Sequence, residues 1–163
     1  MSVATNGHVD SWAGTFVNSG AGGGVQVTTS GGPGLQVVGG SKNAVVRTGG
    51  GARALYTEES TEVWFTDYGF SRLANGHVRV RLDPTFTETV ALGEAYHVFV
   101  QPYGRAEVYV TNRTRSGFDV VLKDGEPNVE FSYRVVAKRL GFETKRLERA
   151  PWADKAVAVR TRR

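Results

Sequence analysis

Glu58, Glu59 and Glu62 form the densest group of carboxylates in the chain, and paired carboxylates are the residues from which glycoside hydrolysis builds its acid and its base or nucleophile. That chemistry needs two groups on separate walls of a cleft, about 5–9 Å apart. Adjacent Glu58 and Glu59 point to opposite sides of a strand, so the three read as surface carboxylates, and a glycan-acting enzyme is kept only as an alternative. The histidines are His8, His77 and His97, with no H-x-x-x-H spacing, and there is no cysteine. Thiolate zinc sites, iron–sulfur clusters, disulfides and a cysteine nucleophile are thereby excluded. No serine stands in a nucleophile elbow. Gly20-Ala21-Gly22-Gly23-Gly24 lacks a following lysine and helix, and Gly49-Gly50-Gly51 opens no helix, so neither is a phosphate cradle. The expectation is a protein with no catalytic residue, no metal and no cofactor.

Aromatic residues are more informative. Trp64 and Phe65 are neighbours in a strand pattern and face opposite sides, so both cannot enter one core. One of them must meet a second surface, and a subunit contact is expected there. Tyr103, on a Pro-Tyr-Gly loop, is the candidate for contact with an exposed ligand. Arg79, Arg81, Arg113 and Arg115 are interleaved with acids rather than clustered with stacking aromatics, so nucleic-acid binding is not expected. His97, between Tyr96 and Val98, reads as a core histidine, and Asn112-Arg113-Thr114 matches a glycosylation sequon of the kind that arises by chance.

The elements that must position these residues are strands. Val78, Val80 and Leu82 alternate with arginines, and the same period of two recurs in 62–66, 96–100, 106–111, 118–122 and 128–135. Asn75-Gly76, Pro102-Tyr103-Gly104, Ser116-Gly117 and Asp124-Gly125 are the expected turns. Asp83-Pro84 predicts a short helical turn with Asp83 as its cap. Short strands joined by tight turns give an all-β domain, an antiparallel β-sandwich or small barrel.

Composition divides the chain of 163 residues into three regions. Residues 1–51 hold 14 of the 21 glycines, residues 52–140 form the sandwich domain, and 141–163 is a basic tail carrying the net excess of +4. In the first region Gly24-Val25-Gln26-Val27, Gly34-Leu35-Gln36-Val37 and Ala44-Val45-Val46-Arg47 form rows at a spacing of ten. A solvated linker has no use for such aliphatics, and a row this short cannot bury its apolar side alone. The rows predict a β-solenoid or an intertwined fibre in which Val25, Val27, Leu35, Val37, Val45 and Val46, with Trp64 and Phe65, form an oligomer interface. A trimer is favoured because it closes the strand edges. Gly141–Trp152 reads as a charged, loosely helical segment, and Leu140, Phe142, Leu147 and Trp152 could dock on the domain or on a neighbour. No run of about 18 apolar residues is present, so no transmembrane helix is expected. The opening Met1-Ser2-Val3-Ala4-Thr5-Asn6 does not read as a signal peptide.

The run from Ala54 to Gly69 resembles the start of a terminal module of bacterial and phage fibre-like proteins, where it follows glycine-rich β-repeats. Asn75-Gly76, Leu82-Asp83-Pro84, Tyr96-His97-Val98-Phe99, Tyr109-Val110, Phe118-Asp119-Val120 and the run Phe131–Arg139 extend the resemblance over roughly residues 41–152. The lack of a metal set, a nucleophile and a cofactor loop predicts a non-enzymatic structural or adhesive protein. The resemblance, which bears on architecture more than on chemistry, implies a fibre or fibre tip of a virion or cell surface whose partner is a host-surface protein, a glycan or only further copies of the chain. A particle-coating (capsid decoration) protein with residues 1–50 as an arm is the alternative, and the expected location is extracellular or on a virion.

Overall fold

The computed structural model describes residues 16–30, 34–37 and 40–149 and is mostly β, with antiparallel sheets. The strands are β1 (Asn43–Thr48), β2 (Gly51–Tyr56), β3 (Trp64–Arg72), β4 (His77–Arg81), β5 (His97–Pro102), β6 (Ala106–Thr114), β7 (Gly117–Gly125) and β8 (Glu130–Lys138). One helical turn, α1 (Pro84–Thr89), separates β4 from β5. The Asp83 carboxylate accepts from the Phe86 N–H at 2.9 Å and Pro84 opens the turn, as its sequence predicts. The chain divides into two compact units between Thr57 and Glu58.

In the first unit β1 pairs antiparallel with β2 around the two-residue loop Gly49-Gly50, and every residue of both strands is exposed. The third glycine-rich row therefore forms a hairpin. The first and second rows, Gly24–Val27 and Gly34–Val37, carry no strand, and solenoid stacking of the three rows is not shown. Residues 52–56, which composition groups with the main domain, lie in β2.

The second unit has two three-stranded antiparallel sheets, β3-β8-β5 and β4-β7-β6, an arrangement compatible with a β-sandwich. Phe131, Val135 and Ala137 of β8 face the core, together with Phe118 and Val120 of β7 and Val80 of β4. Leu73, Leu82, Val90 and Tyr96 fill the core from connecting segments. The Asn75-Gly76 turn, with φ of 52° and 81°, lets the chain pass from β3 in one sheet to β4 in the other. Asp124-Gly125 is not a turn. It ends β7 beside an irregularity between Glu107 and Val108 of β6, where Gly125 takes a φ of 110°.

The helical expectation for 141–152 is not met over the described residues. Residues 139–149 run back across the start of β3: Arg139 N–H bonds Val63 O, and Leu147 N–H bonds Thr61 O, both at 2.9 Å. Lys138 anchors this return, with Glu62 at 3.3 Å, Glu94 at 3.4 Å and the Glu143 carbonyl at 3.0 Å. Arg146 adds a second cation to Glu62 at 3.6 Å. Phe142 is half-buried, with the Arg139 guanidinium 4.3 Å from its ring centre, while Leu140 and Leu147 are exposed. His8, Val38, Trp152 and the basic tail beyond Glu148-Arg149 lie outside the described residues.

Candidate functional site: the outer face of the β3-β8-β5 sheet

Strand alternation places opposite chemistry on the two outer faces of the second unit. On β4-β7-β6 the outward residues include His77, Arg79, Asp119, Thr111, Glu107 and Tyr109, and their charges are satisfied locally. Asp119 accepts from the Asn112 amide at 2.7 Å and from Arg79 at 3.1 Å, with His77 at 3.8 Å. The Asn112 hydrogen bond, followed by Arg79, holds the Asp119 carboxyl below its ordinary pKa against the opposing effect of burial. Lys123 pairs with Glu107 at 2.7 Å. Exposed Tyr109 and Arg81 aside, this face is polar and self-paired.

The β3-β8-β5 sheet is different. In register, Trp64 lies opposite Lys138, Thr66 opposite Val136, Tyr68 opposite Arg134, and Phe70 opposite Ser132. From the other side, His97 lies opposite Val136, Phe99 opposite Arg134, and Gln101 opposite Ser132. Residues paired this way share a face, so the edge strands raise two walls of rings beside a central strand with Val136, Arg134 and Ser132 as its floor. Tyr68 is 66% exposed, Phe70 80% and Phe99 57%. Tyr103, 60% exposed, extends the wall beyond β5 and stacks on Phe70 at 6.4 Å between ring centres. Trp64 meets His97 edge-on at 5.4 Å, and His97 stacks on Phe99 at 6.2 Å. Monomeric surfaces rarely leave so many large rings contiguous and uncovered.

Two hollows lie along this face. One of about 480 Å³ is lined by Glu58, Glu62, Trp64 and His97, and one of about 560 Å³ by Tyr68, Phe70, Gln101 and Tyr103. Both are also lined by Phe99 and Arg134, where they meet. Arg134 pairs with Glu58 at 3.7 Å, its guanidinium lies 5.7 Å from the Tyr68 ring centre, and its enclosed Nε has no hydrogen-bond acceptor.

Beneath the rings, the sheet is held by a contact that the sequence does not announce. Gly69 is paired with Tyr133, and the Tyr133 ring lies over it so closely that a Cβ would come within 2.3 Å of the hydroxyl oxygen. Phe118 meets the Tyr133 ring edge-on at 5.5 Å, and burial, helped by the charge of Asp67, raises the Tyr133 pKa. Glycine in the strand is thus a seat for an aromatic partner.

Comparison with known protein families, characterised proteins and solved structures returns no match. What the face can do therefore rests on its own geometry.

The structure brings Trp64 and Tyr103 onto one face. Trp64 is half-buried there, while Phe65, on the opposite side of β3, is 37% exposed beneath the Arg139 guanidinium. Val25, Val27, Leu35, Val37, Val45 and Val46 are all exposed. His97 is a correction: it is exposed, because Tyr96, Val98 and Val100 take the inward positions. The Tyr96 hydroxyl lies 2.9 Å from the Thr114 carbonyl and 3.0 Å from that of Gly117, and burial raises its pKa. The Asn112 side chain of the sequon is engaged by Asp119. Of the three glutamates, Glu62 is held between Lys138 and Arg146 and Glu58 reaches Arg134, while Glu59 is exposed outside both hollows. Sequence reasoning missed Tyr68, Phe70, Phe99 and Arg134 as one surface. Their signal was available in the outward phase of 64–70 and 97–101, but only the pairing of both strands to β8 unites them.

Proposed function

We propose that this chain is a non-enzymatic structural or adhesive protein, a fibre or fibre-tip module of a virion or cell-surface assembly, and that it works as a homo-oligomer, most simply a trimer. The observation that carries the adhesive part is the uncovered aromatic face of β3-β8-β5, set against the self-paired charges of the opposite face. The exposed β1-β2 hairpin supports the oligomeric part. An isolated two-stranded hairpin is marginal in water, and this one leaves Val45, Leu55 and Tyr56 for further copies to cover. In this reading the glycine-rich rows form the shared stalk and the sheets of the second unit form a β-sandwich that meets the target. The resemblance to terminal modules of fibre-like proteins points the same way. The commitment of Glu62 to two cations supports a structural role over glycan cleavage.

One observation favours a second reading, a particle-coating protein with an N-terminal arm. Residues 16–30 carry no strand and are exposed, as an arm awaiting a lattice would be. Limited proteolysis of the native protein separates the two. The fibre reading predicts that the chain N-terminal to Glu58 survives as long as the second unit does. Loss of that segment at the rate of a free peptide contradicts it and supports the arm.

A further inference from the structure

We propose that the aromatic trough on β3-β8-β5 binds an acidic polysaccharide through a uronic acid within the chain, its carboxylate on Arg134 and the neighbouring neutral sugars against the rings. This rests on reading that face as the adhesive surface. Four features of the trough select this occupant. Its walls are rings, whose faces match the C–H faces of pyranoses. Its length along β3 from Trp64 to Phe70 is about 20 Å at roughly 3.3 Å per residue, enough for several sugars. Arg134 lies where the two hollows meet, so a ligand continues on both sides of the charge, as an internal sugar does and a terminal acidic cap does not. Finally, Arg134 is loosely held: its partner Glu58 stands 3.7 Å away and is 83% exposed, and its enclosed Nε makes no hydrogen bond that would fix it to the sheet.

Charge also sets the spacing. Arg134 is the central cation of the trough, with Glu58 beside it, and the Trp64 end carries Glu62 with the Lys138 and Arg146 that pair with it. A strand with a charge on every unit, such as a nucleic acid, would meet those carboxylates, whereas an acid spaced by neutral sugars would not. In the free protein Glu58 occupies the position of the ligand carboxylate, and a loose, exposed ion pair of that kind is easily given up.

The test is titration of the full chain with a hyaluronan hexasaccharide, in which acidic and neutral sugars alternate, and with the same hexasaccharide after reduction of its carboxyls. Binding is followed by calorimetry and by the Arg134 Nε–H resonance. The acidic sugar is expected to bind and shift that resonance, and the reduced sugar to bind about tenfold more weakly. Arg134→Gln should bring the acidic sugar down to the affinity of the reduced one. Glu58→Gln should tighten the acidic sugar by about two- to fivefold, which loss of a merely structural ion pair would not do. Spectra of the variants that match the parent outside the trough establish that the fold is intact. Equal binding of the two sugars, an unchanged Arg134→Gln variant, or no binding of either sugar overturns the proposal. So does a fall in oligomeric mass on Phe70→Asp, which makes the face a contact between copies. A protein that ignores both sugars while remaining assembled overturns the ligand and leaves the oligomeric reading standing.

Discussion

Individual side chains in the second unit are constrained by contacts that their types alone do not reveal. Gly69 looks like a weak point in β3, yet it is the one residue that admits the Tyr133 ring. Gly69→Ala should cost about 1–3 kcal/mol through overpacking, because Phe118 restricts the escape of the ring. Chemical denaturation of the variant measures it, and an unchanged midpoint would show that the ring moves freely. Asp119 sets an acid limit. Its folded pKa lies below the ordinary value, so the stability it contributes is complete above about pH 4 and is lost as pH falls through the lower folded value. Asp119→Ala should therefore destabilise at pH 7 more than at pH 2–3, as compared by denaturation midpoints at each pH. An equal loss at both would mean that the charge plays no part. The same carboxylate accepts a hydrogen bond from the Asn112 amide, so the sequon asparagine is engaged in this structure.

Elements were legible in the sequence where the period of two coincided with a strong turn. β4, β6 and the Asp83-capped helical turn fall where alternation and capping place them. β5 shows the limit: alternation fixes the existence of the strand and not which phase is inward. Tyr96 enters the core because its hydroxyl reaches the carbonyls of Thr114 and Gly117, and this turns His97 outward. The turn at Asp124-Gly125 failed for a related reason, since a left-handed glycine serves a strand irregularity as well as it serves a turn. The return of 139–149 across β3 was illegible, because it depends on Lys138 finding carboxylates remote in sequence. The hydrogen bond from Lys138 to Glu62 is the main reason its pKa is raised, so this clamp is complete below about pH 10 and is lost as pH rises through the folded value. Lys138→Met should speed amide exchange at Arg139 and Leu147 while leaving Phe118 and Val120 protected. Uniform acceleration across all of these amides would show that the clamp belongs to the global fold.

At the scale of the whole molecule, the two units present complementary problems. The second buries a core of its own and exposes an aromatic face, while the first exposes aliphatics that no single chain covers among the described residues. Burial of a few valines and leucines does not offset the backbone entropy of ordering the glycine-rich rows, and the proposed assembly is what would supply the missing contacts. That deficit was legible from composition. The aromatic face was not, because it is assembled from β3 and β5, which become neighbours only through β8. The central claim is that this chain acts as an assembly through its glycine-rich segment. Light scattering on the full chain and on a chain beginning at Glu58 tests it most directly. The account predicts a full-length mass near three times the 17.6 kDa of the chain, and a folded monomer for the shorter form. A monomeric full-length protein at micromolar concentration would contradict it.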